Sequence, residues 1–338
     1  MALKFGIFDW VEASETLSPA QVYAHKLELA AAADQAGFHG MFFAEHQGTP
    51  LSIDGSPAVL LAAMIQRTQR LRLGALTFCL PWHDPYRFYN EVCMLDQMSG
   101  GRLELGVGRG VSPIESLIFN LKSVEESRER YRQNLDLFFA ACNTKVLKYR
   151  GQDVELYNQP VQRPYPPLWF PSSNRDSIEF TAKHGYSTVL NTTAPAARDL
   201  FQKYRETWEQ QRNDPGRHNA HVASPFLAKT QHIVVAESEK EALDAGLAAY
   251  ETWKNHIHHL TRRHGRPEAL KLDPFAADSV QRLIAGTPRS VLPQLQEAVR
   301  ETGMNYLMGI FSFGSLPPRA ALRSLELFAR EVMPALKA

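Results

Sequence analysis

Short apolar runs of strand length alternate along the chain with longer stretches that place apolar residues on one helical face. The first run, residues 4–9, precedes a helix predicted over residues 19–36, whose start is indicated by Ser18, Pro19 and Gln21. Seven more strand–helix units follow, with strands predicted at residues 40–45, 71–79, 102–108, 167–172, 187–192, 229–236 and 305–311. Strands that alternate with helices indicate parallel β–α–β crossovers.

Eight such units within 338 residues favour a closed (β/α)8 barrel, the TIM-barrel architecture, as a single domain. An open, doubly wound sheet is the alternative that the pattern leaves open. The long segment 255–286 lies between the seventh and eighth predicted strands. Because long insertions in compact domains often act as lids, we expect this segment to cover the active site.

The composition narrows the class of protein. The chain is 44% hydrophobic and 22% charged, and its formal net charge is +1, so we expect neither a nucleic-acid nor a membrane partner. It has no apolar run near the ~18 residues of a membrane span and does not begin like a signal peptide. Three separated cysteines, Cys79, Cys93 and Cys142, suggest buried thiols in a reducing compartment. We therefore predict a soluble, cytoplasmic protein.

The segment GRLELGVGRGVSP, residues 101–113, ends its predicted strand in a glycine cluster around Arg109. A dinucleotide-binding fold is disfavoured, because the glycines have G-x-G-x-G spacing and Ser112-Pro113 stands where a helix should already begin. In a barrel this position is the C-terminal end of a strand, where active sites form. We interpret the cluster as a loop that lets a ligand approach, with Arg109 available to an anion. A tight turn with a solvated arginine is the alternative.

A histidine-rich stretch near residue 260 raises the question of a metal site. His256, His258, His259 and His264 have no accompanying carboxylate or cysteine framework, and H-x-H-H alone is a weak signal. We therefore predict no metal site.

The segment LDQMSGGRLELGVGRG, residues 95–110, resembles the most recognisable segment of the bacterial luciferase-like family of flavin-dependent oxidoreductases. Six other segments resemble the family in the same order: residues 5–8, 37–47, 70–85, 166–174, 286–291 and 327–334. The resemblance implies a (β/α)8 barrel that holds FMN, or a deazaflavin relative, at the C-terminal strand ends. Many members are two-component monooxygenases, in which a separate reductase delivers reduced FMN that reacts with O2 to form a flavin hydroperoxide.

The resemblance also assigns residues around the flavin ring. His46 falls on the histidine that family members place near the reactive flavin, where it can relay a proton; the alternative is a histidine that only shapes the pocket. Leu76 and Thr77 match the site that supports the isoalloxazine ring, often through a non-proline cis peptide. Gly108 stands where bacterial luciferase has a cysteine, and Gln47 where it has a second histidine.

A second group of residues is implied to hold the cofactor phosphate. Arg109 matches an arginine that contacts the FMN phosphate, and Ser172, Ser173 and Asn174 match the family's phosphate loop. This loop precedes a predicted helix, whose N-terminal N–H groups favour a dianion. Ser177 is a further hydroxyl candidate. Luciferase has an acidic residue where this chain has Ser173.

Large aromatic residues at or just past strand ends are candidates for an apolar substrate pocket, with ordinary core packing as the alternative. They are Phe8, Trp10, Phe78, Trp82, Phe311 and Phe313.

Together these observations predict an FMN-dependent monooxygenase that uses O2 to oxygenate a small, largely apolar organic substrate and depends on a separate flavin reductase. One alternative is a deazaflavin-dependent dehydrogenase on the same barrel. Another is a flavin-binding protein without turnover. The resemblance further implies a homodimer formed through the second and third helices.

Overall fold

Eight parallel strands close into a barrel in the computed structural model, which describes residues 2–110, 112–268, 270–276 and 278–337. In chain order the strands are β1 (Lys4–Asp9), β2 (Gly40–Phe43), β3 (Arg72–Cys79), β4 (Leu103–Gly108), β5 (Val146–Tyr149), β6 (Gln152–Glu155), β7 (Leu168–Pro171), β8 (Ser187–Leu190), β9 (Leu227–Val235), β10 (Leu283–Gly286) and β11 (Tyr306–Ile310). The closed ring runs β1–β2–β3–β4–β7–β8–β9–β11 and returns to β1. β5 and β6 form an antiparallel hairpin outside it, and β10 pairs only with the end of β9.

Helices surround the barrel. They are α1 (Pro19–Ala36), α2 (Pro57–Ile65), α3 (Pro85–Ser99), α4 (Pro113–Ile118), α5 (Val124–Cys142), α6 (Arg175–Lys183), α7 (Ala194–Gln211), α8 (Glu239–Arg263), α9 (Pro288–Thr302), α10 (Pro318–Leu327) and α11 (Met333–Lys337), the last two joined by a π-helical turn, Phe328–Val332. Local signals define several of their ends. Ser18 and Asp84 cap α1 and α3 with side-chain oxygens, and proline follows each cap. Gly37 ends α1 in the left-handed conformation, which glycine adopts without strain.

Strand alternation divides the buried side chains into two clusters. Phe8, Phe42 and Met308 point into the barrel, whereas Ile7, Met41 and Leu307 pack between the barrel and the helices. At the N-terminal end of the barrel interior, the buried Glu104 carboxylate pairs with Arg72 and accepts a 2.6 Å hydrogen bond from Trp169 Nε1. Side chains therefore fill the N-terminal end of the barrel interior, and a ligand-binding site is expected at the C-terminal end.

All eight predicted barrel strands are present, and the closed barrel replaces the open-sheet alternative. The structure adds three elements that were not predicted: the β5–β6 hairpin, α4 and β10. Helix α8 continues to Arg263, so residues 255–263, the first part of the predicted insertion, are helical. The lid function of segment 255–286 remains a prediction.

Two further observations concern the cysteines and the hydropathy of the helices. The three cysteines are buried and unpaired. Among the described residues, no helix is long and apolar enough to cross a membrane.

Candidate active site

The carboxyl ends of the parallel strands open at one mouth of the barrel, and polar side chains cluster there. His46 follows β2, Thr77 lies near the end of β3, and Arg109 follows β4. In (β/α)8 barrels the connections after the strands build the active site. The structure therefore brings these three predicted residues to the same rim.

His46 is held by a carboxylate from the connection after β4. Its Nδ1 lies 3.1 Å from Glu115 Oε1 and 3.4 Å from Oε2, and the same Oε1 accepts a 2.7 Å hydrogen bond from the backbone N–H of Gln47. The Glu115 side chain is 3% exposed and the His46 side chain 24% exposed. The ring is thus anchored at one nitrogen and partly open to the mouth.

β3 and β4 approach closely beside this histidine. The Leu76–Thr77 peptide bond is cis, as the resemblance implied, and the pairing of β3 with β4 shifts register between Ala75 and Phe78. A Cβ on Gly108 would overlap Thr77 Oγ1, so only glycine fits there without movement. Leu76 points into the barrel with the interior cluster. Backbone atoms of β3 and β4 therefore form much of the rim beside His46.

Arg109 forms no ion pair with any residue that the structure describes, although the charge of Glu125 lies near enough to act on it. Within the described parts of the chain, its guanidinium has no hydrogen bond or ion pair, although its backbone carbonyl accepts a 3.2 Å bond from Ser127 Oγ. Partial burial and the neighbouring Arg128 lower the pKa of Arg109 from its ordinary value. Burying a cation without an acceptor costs free energy, which an anionic ligand would offset.

The predicted phosphate loop follows β7, the strand next to the one that leads to Arg109. β4 pairs with β7 at Leu105–Leu168 and Gly106–Trp169, so the segments that follow these two strands leave neighbouring positions on the rim. Asn174 caps α6, with its side chain accepting a 2.9 Å bond from the Ser177 N–H. The N-terminus of α6 and Arg109 thus follow two strands that are neighbours in the barrel.

Two hydroxyls of this loop already have partners. Ser172 Oγ is buried and lies 2.9 Å from Thr181 Oγ1. Ser177 Oγ accepts the backbone N–H groups of Ser173 at 3.1 Å and Asn174 at 3.2 Å. The loop is therefore organised by its own hydrogen bonds, and the exposed Ser173 and Asn174 are the members best placed for a ligand.

The structure separates the six predicted pocket residues. Phe8 and Trp10 lie together in the interior cluster, with ring centroids 4.8 Å apart. Phe78 and Phe311 belong instead to the cluster beneath the helices, where they pack against Phe88 and Phe38 respectively. They are therefore removed from the candidate pocket.

Trp82 occupies a different part of the rim. It stacks on Phe119 with ring centroids 5.1 Å apart, and a Cβ on Gly110 would approach its ring at 2.8 Å. It therefore packs against the turn that carries Arg109 and not against Phe8 and Trp10. Phe313, by contrast, lies with the interior cluster.

Besides Glu115, three acidic or basic residues near His46 were not predicted. Glu45 accepts the Cys79 N–H at 2.7 Å and lies 3.1 Å from His83 Nε2. Burial lowers the pKa of His83, but the hydrogen bond and charge of Glu45 outweigh it and raise that pKa overall. Burial raises the pKa of Asp54 to about 7, and the nearby Asp9 and Glu45 add to the increase. Asp54 is 5% exposed, and within the described residues its Oδ2 has no hydrogen-bond partner.

These unpredicted residues carried little sequence signal. Glu45 directly precedes His46, and its position at a strand end could have marked it. Glu115 and Asp54 lie in connections whose path depends on tertiary contacts. Nothing in their local pattern places them beside His46.

Segment 255–286 is attached to the mouth at both ends. His256 Nδ1 lies 2.8 Å from the buried Glu12, which also accepts a 2.6 Å bond from the Gly314 N–H. At the other end, the buried Gln281 donates to Asn191, directly after β8, and to Thr230, within β9. His256 and Gln281 therefore tie the two ends of the insertion to the barrel.

Comparison with known proteins identifies the class to which this barrel belongs. The family model described as luciferase-like monooxygenase matches residues 3–306. The chain therefore belongs to the luciferase-like monooxygenase family.

Two relatives are similar along nearly their whole length. The uncharacterized protein y4wF of Sinorhizobium fredii is 33% identical, over 98% of this chain and 96% of that protein. The oxygenase component of the flavin-dependent trigonelline monooxygenase of Acinetobacter baylyi is 24% identical, over 98% of this chain and 95% of that protein.

Two solved structures share the fold. The oxygenating constituent of 3,6-diketocamphane monooxygenase from Pseudomonas putida, in complex with FMN, superimposes with a TM-score of 0.82 at 18% identity, over 99% of this chain and 98% of that one. The coenzyme F420-dependent tetrahydromethanopterin reductase of Methanopyrus kandleri superimposes with a TM-score of 0.71 at 16% identity, over 99% of this chain and 100% of that one.

Proposed function

We propose that this protein is the oxygenase component of an FMN-dependent monooxygenase, which takes reduced FMN from a separate reductase and uses O2 to oxygenate a small, largely apolar substrate. The observation that carries the proposal is Arg109, which has no ion pair among the described residues and follows the strand next to the one that leads into α6, at the same end of the barrel as His46. The name of the trigonelline relative, an oxygenase component, supports the two-component arrangement.

The phosphate edge of the mouth fits a dianionic group. Arg109 supplies a charge-assisted donor, and the N-terminus of α6 supplies a favourable dipole. Ser173 and Asn174 are exposed beside it. These residues would hold the phosphate of FMN.

The ring of the flavin would lie against the close approach of β3 and β4. Leu76, Thr77 and Gly108 form this part of the rim, and the missing side chain of Gly108 lets Thr77 pack directly against β4. When bound in its reduced form, FMN supplies the electrons that activate O2. Phe8 and Trp10 lie in the interior cluster and would exclude water from the reacting centre.

His46 would move the proton that the oxygenation requires. Its Nδ1 is engaged by Glu115, so Nε2 is the atom that remains to accept and return a proton. An imidazole can do both near neutral pH. The partial exposure of the ring leaves this nitrogen accessible from the mouth.

A deazaflavin-dependent dehydrogenase is the second candidate. The fold likeness to the F420-dependent reductase favours it, and a phosphate on either cofactor would suit Arg109. The two candidates differ in their use of oxygen, because a dehydrogenase transfers hydride and needs no O2.

The homodimer is part of the proposal. Apolar side chains are exposed on α2 and α3, with Val59 71% exposed and Met94 54% exposed. A second copy packed on these helices would cover them. Sedimentation should therefore show a dimer, which Val59→Lys combined with Met94→Lys should dissociate.

Oxygen isotope incorporation tests the function. The protein is loaded with reduced FMN, or separately with oxidised deazaflavin as hydride acceptor, and mixed with ¹⁸O2 and a panel of small cyclic ketones, terpenes, aldehydes and alcohols. We expect ¹⁸O in a product only with FMN. Substrate oxidation with the deazaflavin and no oxygen uptake with FMN would establish the dehydrogenase instead.

A further inference from the structure

We propose that Glu115 is a positioning residue that holds His46 in the tautomer with its proton on Nδ1 and thereby leaves Nε2 free to accept a proton. The inference rests on the proposed function of His46. It concerns a residue for which the sequence gives no functional signal.

The hydrogen bonds around Glu115 have a fixed direction. Its carboxylate lies 3.1 and 3.4 Å from His46 Nδ1, and its Oε1 also accepts the Gln47 N–H at 2.7 Å. An ionised carboxylate only accepts, and a neutral imidazole carries one N–H. The N–H that meets Glu115 must therefore be on Nδ1, which leaves the lone pair on Nε2.

The local fold holds Glu115 in place. It is the third residue of α4, and Ser112 caps this helix by accepting the Glu115 N–H at 3.3 Å. Ser116 Oγ bonds back to the Ser112 carbonyl at 3.0 Å. Phe119, directly after the helix, stacks on Trp82. A helix of less than two turns is thus fixed at both ends, with its carboxylate buried beneath His46.

The pair can carry a proton in both directions. When Nε2 accepts a proton, the imidazolium has a proton on each nitrogen, and its charge is balanced by the Glu115 carboxylate. When Nε2 returns that proton, the starting tautomer is restored because the Nδ1 proton never leaves. Asp54 is a second acidic group that interacts electrostatically with His46, but no hydrogen bond joins the two among the described residues.

A purely structural role for Glu115 is the alternative. The carboxylate could serve only to tie the end of β2 to α4 through the Gln47 N–H. That role would require no particular tautomer of His46, so the tautomer distinguishes the two interpretations.

Nitrogen NMR on ¹⁵N-histidine-labelled protein reads the tautomer directly, and His46→Gln assigns the signal by its loss. In the wild type we expect the proton on Nδ1. In Glu115→Leu no acceptor faces Nδ1, so the His46 proton should no longer be fixed on that nitrogen, whereas in Glu115→Gln an amide oxygen at the Oε1 position can still accept both N–H groups. Glu115→Asp, which keeps the carboxylate, should retain the wild-type tautomer. Glu129→Gln, at an exposed position on α5, is the matched control and should leave the signal unchanged.

Kinetics supply a second readout. Glu115→Leu should lower single-turnover product formation by about 10- to 100-fold, as for other residues that orient a reacting side chain, while FMN affinity stays within a few-fold. A wild-type His46 with its proton on Nε2, or a Glu115→Leu variant with unchanged tautomer and rate, would overturn the inference. If His46→Ala turns over normally, the proposed role of His46 fails, whatever the tautomer.

Discussion

Replacing Asp54 with asparagine should make the stability of the protein less dependent on pH between pH 5 and 8. Burial raises the pKa of Asp54 to about 7 from an ordinary value of 3.8. The unfolded chain therefore loses this proton near pH 4, whereas the folded protein keeps it until about pH 7. Between these values the folded state binds more protons, so a rise in pH favours unfolding.

The magnitude follows from the width of that window. Each pH unit in which the folded state holds one extra proton costs about 1.36 kcal/mol, so the window from pH 5 to the folded pKa amounts to about 2.5 kcal/mol. Asparagine has no proton to lose. The Asp54→Asn variant should therefore gain about 2.5 kcal/mol over the wild type between pH 5 and pH 8.

Urea denaturation followed by circular dichroism at pH 5 and pH 8 measures this difference. Comparing the two proteins at each pH cancels the titration of all other groups that they share. A difference in unfolding free energy that is the same at both pH values would refute the raised pKa of Asp54.

Two further predictions concern the mouth of the barrel. The His46→Ala variant should fold and bind flavin within a few-fold of the wild type, but its single-turnover product yield should fall by about 10²- to 10⁴-fold. The His46→Gln variant should have the same low yield, because an amide cannot exchange the proton. If the glutamine variant turns over as fast as the wild type, His46 only shapes the pocket and transfers no proton. Gln281→Ala removes the contacts to Asn191 and Thr230, so amide exchange in residues 264–282 should accelerate and more hydrogen peroxide should escape during turnover. Unchanged exchange and peroxide yield would contradict the lid prediction.

Local signals explain why most of the fold could be predicted. The helix α1 was predicted over residues 19–36 because Ser18, Pro19 and Gln21 mark its start, and the structure has it at Pro19–Ala36. β10 was missed because its four residues lie within the insertion and pair only with the part of β9 that extends beyond the barrel. Such pairing depends on a distant strand and has no local pattern.

The aromatic residues show where the alternation of inward- and outward-facing positions along a strand predicts the direction of a side chain and where it does not. Phe311 continues the outward face of Leu307 and Gly309, so strict alternation along β11 would have excluded it from the pocket. Phe78 has the same parity as the inward-facing Leu76, yet it points outward because the pairing shifts register between Ala75 and Phe78. A sequence pattern does not reveal that shift.

The site was only partly predictable for a related reason. His46 and Arg109 follow strands directly, so parallel strands bring them to one mouth. Glu115 and Asp54 reach the same place through connections shaped by contacts distant in sequence. Their roles therefore become visible only in three dimensions.

The central claim is that this mouth holds a flavin by its phosphate at Arg109. Calorimetric titration with FMN and with riboflavin tests it most directly, because the two ligands differ only in that phosphate. We expect the wild type to bind FMN more tightly than riboflavin, and Arg109→Ala to weaken FMN by about 10- to 100-fold, as for one charge-assisted contact, without affecting riboflavin. Equal affinity of the wild type for FMN and riboflavin would contradict the account.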